Sequence, residues 1–234
     1  MAARTGVLGG TFDPIHLGHL AVARAALDAL ALDRVMLLPA RRPPHRPVDA
    51  SASAEHRLAM VSLAAQADAR FVASDLELTR SGPSYTADTL RALHATGLDA
   101  LQIFFLTGAD AFAEIATWHE YPAVASLAHF VVCARPGTPV ETMPARVPAL
   151  AERMRLVRPG GPPLEAAPRP CVFLLDFPTP DISSTVIRAR ARSGQALAGL
   201  VPPDVETYIR RHGLYGASCD AGAGGRPAAG NLHE

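Results

Sequence analysis

The sequence has no excess of charge: its 22 basic residues are matched by 22 acidic ones, and the formal net charge is zero. A protein that covers duplex nucleic acid needs a basic face to neutralise phosphates, and this balance provides none. It does not exclude a small anionic ligand held by a few local groups. Cysteine is scarce too. Cys133, Cys171 and Cys219 are odd in number and far apart, with no C-x-x-C pair and no Cys/His cluster at zinc spacing. Cys133 and Cys171 sit in apolar, strand-like runs and read as buried thiols. No stretch reaches the roughly 18 apolar residues of a membrane span. Met1-Ala2-Ala3-Arg4 runs straight into a strand-like segment, leaving no room for a signal peptide. These absences predict a soluble, reduced, cytoplasmic protein with no nucleic-acid or membrane partner.

Familiar nucleotide and hydrolase signatures are missing as well. There is no G-x-x-x-x-G-K-[ST], no G-x-G-x-x-G after the first strand, no H-E-x-x-H and no G-x-S-x-G. Phosphate binding, if it occurs, must use another device.

What is present is a chain of 234 residues, 49% hydrophobic, able to bury a sizeable core. Short apolar runs alternate with longer amphipathic ones. This predicts an α/β, Rossmann-like, mostly parallel doubly wound sheet flanked by helices, with a short C-terminal helical region, as one domain over residues 1–215. Expected strands are Thr5–Gly9, Arg34–Pro39, Arg70–Ser74, Leu101–Thr107, His129–Ala134 and Cys171–Asp176. Expected helices are Gly18–Leu32, Ser53–Ala67 with Ser53 as N-cap, Ser84–Ala95, Ser184–Ser193 and Pro203–His212, the last closed by Gly213. Residues 136–170 carry nine of the 21 prolines and read as a loop-rich excursion around one short helix near Ala145–Leu156. The small, polar residues of 216–234 predict a disordered tail.

The most informative segment runs from Gly9 through Gly10, Thr11, Phe12, Asp13, Pro14, Ile15, His16, Leu17 and Gly18 to His19. It follows the first strand and opens the first helix, where open α/β sheets bind ligands. Gly9 and Gly10 let the backbone approach a phosphate, and a helix start offers N–H groups and a positive dipole end. His16 and His19 are three apart and share one face of the first turn. Facing a polyphosphate, both can donate hydrogen bonds to oxygens that gain charge in a transition state.

A second anchor lies far down the chain, in Asp181-Ile182-Ser183-Ser184-Thr185-Val186-Ile187-Arg188. Hydroxyls before a helix are ordinary caps. Arg188, one turn inside, changes the reading. Hydroxyls, helix N–H groups and a guanidinium together can clamp phosphate oxygens.

With these motifs the sequence resembles the nucleotidyltransferase superfamily with the H-x-G-H signature. More narrowly it is similar to the bacterial nicotinate-nucleotide adenylyltransferases, which join nicotinate mononucleotide to AMP from ATP. The resemblance covers about residues 5–215. It also rests on Pro43–Arg46, Pro83–Thr86, Gly108–Asp110 and Thr117–Tyr121. It implies that His16, His19 and Arg188 carry the catalysis. Gly9, Gly10, Thr11, Phe12, Gly108, Asp110, Ile182, Ser183 and Ser184 would join them in binding ATP. It implies an acceptor pocket of Arg46, Tyr85, Thr86, Trp118, His119 and Arg135. There Trp118, the single tryptophan, would stack on a pyridinium ring. The family most often has tyrosine where this chain has His119, a change of little weight if that position acts through its backbone N–H. A tryptophan of the core is the competing reading of Trp118. Mg²⁺ would be held by ATP phosphates and water, with no protein ligand set. The partners implied are ATP and nicotinate mononucleotide, with a homo-oligomer left open. Phosphopantetheine or nicotinamide mononucleotide as acceptor, and a nucleotide-binding module without turnover, are the alternatives.

Overall fold

A computed structural model describes residues 3–43, 51–134, 138–158, 160–161 and 167–217. Arg46, Arg135, Cys219 and most of the expected tail lie outside these residues. In chain order the main elements are β1 (Thr5–Gly10), α1 (Leu17–Ala29), β2 (Arg34–Pro39), α2 (Ala54–Ala65), β3 (Phe71–Ala73) and α3 (Thr86–Ala95). There follow β4 (Ile103–Gly108), α4 (Ala109–Phe112), β5 (His129–Cys133), α5 (Met143–Arg146), β6 (Met154–Val157), β7 (Val172–Leu175), α6 (Ser184–Arg192) and α7 (Pro203–Arg211).

The strands form one sheet in the order β3-β2-β1-β4-β5-β7-β6, with every neighbouring pair parallel. The chain builds outward from β1 to β3, then returns to lay β4 on the other side of β1. Loops leaving β1 and β4 therefore diverge, and a crevice opens at their carboxyl ends.

Strand side chains alternate between two cores, one on each face of the sheet. Leu8, Leu37, Phe104, Leu106, Val131 and Phe173 pack in the first, under α1, α2, α6 and α7. Val7, Leu38, Ile103, Phe105, Phe130 and Leu174 pack in the second, under α3 and the segments around α4 and α5. Continuous apolar runs such as Phe104-Phe105-Leu106 follow from burial on both faces. Cys133 and Cys171 are buried thiols.

The helix boundaries follow local chemistry. Ser53 caps α2, its Oγ accepting from His56 N at 3.4 Å. Past α7, Gly213 takes the left-handed φ of 57° that ends a helix at low cost. The short helix expected near Ala145–Leu156 is not found as such. Helix α5 stops at Arg146 because Pro148 cannot donate to the helix and Val147 before it leaves the helical region (φ −129°, ψ 66°). A 3₁₀ stretch over Pro148–Arg153 then leads into β6, a seventh strand on the sheet's edge. Its burial runs buried, exposed, exposed, buried, so it lacks the alternation that marks a strand in sequence.

Candidate active site

The crevice at the β1/β4 switch point is a cleft of about 250 Å³. Its wall is made by Leu8 of β1, Thr107 and Gly108 of β4, Cys133 at the end of β5 and Ala134 after it, the start of α1 and the start of α6. Two helix N-termini thus converge on one cavity, an arrangement that favours an anion through N–H groups and aligned peptide dipoles. Some of those donors are already engaged. Leu17 N donates to the Leu200 carbonyl at 2.9 Å, His19 N to the His16 carbonyl at 3.0 Å, and Val186 N to Ser183 Oγ at 3.3 Å. The N–H groups of Gly18, Ser184 and Thr185 lie in first turns, where the helix itself supplies no acceptor. All three residues line the cleft.

His16 and His19 also face this space, with rings stacked 3.6 Å apart at 22°. Phe12 meets His19 edge-on at 4.9 Å. His16 N donates to His19 Nδ1 at 3.3 Å. In a neutral imidazole that bond places the proton on Nε2 and makes Nε2 a donor. Gly18 lies between the two histidines. A Cβ there would stand 3.0 Å from His16 Nδ1 and 3.6 Å from Ile182 Cβ, so the glycine lets the imidazole and the segment entering α6 close over α1.

On the α6 side Ser183 is the cap, while Ser184 Oγ donates to the Pro14 carbonyl at 3.0 Å. Arg188 donates through Nη1 to the Asp13 carbonyl at 2.8 Å and through Nη2 to Thr185 Oγ1 at 3.3 Å. The two motifs, about 170 residues apart, are therefore in direct contact. Gly9 and Gly10 end β1 beside Leu38 and Pro39. The Thr11 carbonyl accepts from the buried Arg57 at 2.7 Å. Phe12 turns its ring into the first core at φ 49°, leaving only backbone for a ligand. Asp110 is exposed in the first turn of α4.

The residues expected at the acceptor form a second group, against the second core. Tyr85 stacks on His119 at 4.3 Å and 24°. Thr86 opens α3, so its N–H has no acceptor within that helix. Trp118 is half-buried and meets Phe105 and Phe130 with ring centroids 6.4 and 6.1 Å away. The indole is thus partly a core residue and partly surface. Arg91 of α3 grips both carboxylate oxygens of Glu120, which sits at φ 61°. That pair ties the Trp118–Tyr121 turn to α3. Beneath the Ser84–Thr86 segment lies Glu77, buried and bonded by the Thr89 hydroxyl at 2.7 Å. Burial pushes its carboxyl above the usual range.

Sequence reasoning assigned no role to Asp13, Gly18, Glu77 or Cys133. Only Gly18 carried a local signal, its place between the histidines. The chain also contains no lysine, so its 22 basic side chains are all arginines. Among the described residues no helix is long and apolar enough to cross a membrane.

A family model described as cytidylyltransferase-like matches residues 7–190. A protein of Thermus thermophilus named "Probable nicotinate-nucleotide adenylyltransferase" is 44% identical over 213 residues, covering 91% of this chain and 99% of its own length. One of the same name from Chromobacterium violaceum is 41% identical over 215 residues, covering 92% of this chain and 100% of its own. Among solved structures, the Plasmodium falciparum nicotinic acid mononucleotide adenylyltransferase complexed with NaAD superposes with a TM-score of 0.68. The identity is 18%, over 92% of this chain and 98% of that one, a likeness of fold. With the cleft, the paired histidines and this similarity along nearly its whole length, the chain belongs to the nicotinate-nucleotide adenylyltransferase family of cytidylyltransferase-like proteins.

Proposed function

We propose that this chain transfers the adenylyl group of ATP to nicotinate mononucleotide, forming nicotinate adenine dinucleotide and pyrophosphate, a step of NAD biosynthesis. The observation that carries it is the convergence of two helix N-termini and a stacked histidine pair on one cleft. Trp118, against Phe105 of β4, and the Tyr85–His119 stack supply aromatic rings suited to an acceptor. In this reading the ATP phosphates contact His16, His19, Ser183, Ser184 and Arg188, above the backbone of Gly9, Gly10, Thr11 and Phe12. Gly108, Asp110 and Ile182 border the nucleoside. Trp118 and Tyr85 take the pyridine ring, Thr86 and His119 offer N–H groups to its carboxylate, and Arg46 and Arg135 attract the acceptor's phosphate.

The reaction asks for alignment more than for acid–base chemistry. A phosphate monoester has a second pKa of about 6 and is largely a dianion at neutral pH. Its oxygen forms the new bond to the α-phosphorus, the bond to the bridging oxygen breaks, and that electron pair leaves with pyrophosphate. The protein's part is to hold the two in line and to meet the growing charge with His19 Nε2–H, His16, helix N–H groups and Arg188. The donors on the cleft wall are imidazoles, hydroxyls and amides, with Asp181 as the carboxylate. That set fits a Mg²⁺ carried in by ATP oxygens and water, whose charge would offset that of pyrophosphate. A cytoplasmic setting suits this reading.

Product analysis tests the proposal. With ATP, Mg²⁺ and a panel of nicotinate mononucleotide, nicotinamide mononucleotide and phosphopantetheine, the expected main product is nicotinate adenine dinucleotide. Fastest turnover of another acceptor would overturn the substrate assignment. No turnover with any would make the chain a binding module.

A further inference from the structure

Asp13 is the centre of a buried junction between parts of the chain that are remote in sequence. Its side chain is only 7% exposed. The carboxylate accepts from Ser51 N at 2.7 Å, from Ala52 N at 3.0 Å and from the Tyr215 hydroxyl at 2.9 Å. Arg188 Nη1 lies 3.9 Å from Asp13 Oδ2 while donating to the Asp13 carbonyl. One short residue thus joins the first strand–helix turn, the entry to α2, the C-terminal turn at Leu214–Gly216 and the arginine of α6.

A buried carboxylate needs several donors, and a purely structural knot would satisfy that need. The geometry around Arg188 goes further. A guanidinium is planar and presents five N–H donors in a fixed fork. Here Nη1 is held by the Asp13 backbone carbonyl, with the carboxylate 3.9 Å away, and Nη2 by Thr185, which fixes the plane of the fork before any phosphate arrives. Donors set in advance need no reorganisation as charge develops. Without the Asp13 contact, Arg188 would keep only its long bond to Thr185 among these anchors. Nothing else in the C-terminal turn touches Asp13 through a polar atom among the described residues. Tyr215 occupies its place at φ 61°, a backbone conformation a side chain adopts only when its surroundings demand it.

We propose that Asp13 and Tyr215 are positioning residues for phosphate binding: Tyr215 and the Ser51 and Ala52 amides anchor the Asp13 side chain, which holds the Asp13 backbone in place, and its carbonyl fixes the plane of Arg188. The C-terminal turn is thereby a working part of the nucleotide site. This inference rests on the assignment of Arg188 to the ATP phosphates.

A double-mutant cycle with Tyr215→Phe and Arg188→Ala tests it, reading kcat and KM for ATP and for nicotinate mononucleotide. Tyr215→Phe keeps the ring and removes one charge-assisted hydrogen bond. It should lower kcat/KM for ATP about tenfold with Arg188 present, and less than about twofold in the Arg188→Ala background. KM for the acceptor should hold throughout. Equal losses in both backgrounds, or no loss in the first, would overturn the positioning role while leaving Arg188 where it is assigned. Undiminished turnover by Arg188→Ala alone would remove the phosphate assignment and the inference with it. Asp13→Asn is a weaker probe because its amide could face two backbone donors and unfold the turn. Melting temperatures of the Tyr215 variants keep the two effects apart.

Discussion

Gly18→Ala separates the geometry of the cleft from the stability of the fold. The added methyl would come within 3.0 Å of His16 Nδ1 and 3.1 Å of its Cε1, where ordinary contact begins at 3.4 Å. His16 is 6% exposed and stacked on His19 at 3.6 Å, so it cannot simply swing into solvent. The ring must retreat by a few tenths of an ångström and press on its partner. Two stability effects oppose each other. Alanine in a helix is favoured over glycine by up to about 1 kcal/mol, less in the first turn. Overpacking costs about 1–3 kcal/mol. The net change should stay within about 2 kcal/mol, a shift of a few degrees in melting temperature for a domain of this size. Activity should respond more. A misplacement of about 1 Å can cost about 10²-fold, so a shift of a few tenths should lower kcat about tenfold. Pyrophosphate release at saturating ATP and nicotinate mononucleotide measures it, beside a thermal melt. A kcat within twofold of the unsubstituted protein would refute the idea that the His16/His19 arrangement is set by close packing around Gly18.

Three further outcomes are expected. His19→Ala should lower kcat about 10²-fold or more in a folded protein, since it removes a donor aimed at developing charge; near-normal turnover would discard that role. The chain should use nicotinate mononucleotide at least about 10²-fold better than its amide, because two N–H donors suit a carboxylate that only accepts. Trp118→Ala should weaken both acceptors by about 1–3 kcal/mol with little change in that ratio, and a ratio that collapses would place the discrimination in the indole. Lastly, burial between Phe104 and Phe173 lowers the His129 imidazole to about 4, so the fold binds it neutral while the unfolded chain takes up a proton first. Its stabilising contribution, on the order of 2–3 kcal/mol, is complete above about pH 6.5 and lost as pH falls toward 4. Urea unfolding of wild type and His129→Gln at pH 7 and pH 5 checks this, and equal pH dependence in the two would contradict it.

Much of the fold was legible because each βα unit records its environment locally. A strand such as Arg34–Pro39 is bounded by turn residues and buried on both faces, so its apolar run is short and continuous. The edge strand β6 was not legible, because two of its four residues are exposed and its partners in β7, such as Val172 opposite Met154, come much later in the chain. At the site, the H-x-G-H segment announced itself because histidines three apart must share a helix face. Ser184 and Arg188 were legible as donors near a helix start. Their grip on Pro14 and Asp13 was not.

The amino-acid order alone determined the alternation of elements, the glycine-bearing turn after the first strand and the pairing of two imidazoles on one helical turn. All of these depend on contacts within a few residues. Only the tertiary structure decided which helix ends face one another, that Trp118 leans on Phe105 and Phe130, and that Tyr215 reaches Asp13 across 202 positions. The physical reason is that a buried carboxylate takes its donors from whatever backbone and side chains the folded sheet brings near. That choice follows from strand order and packing, which no short stretch of sequence contains.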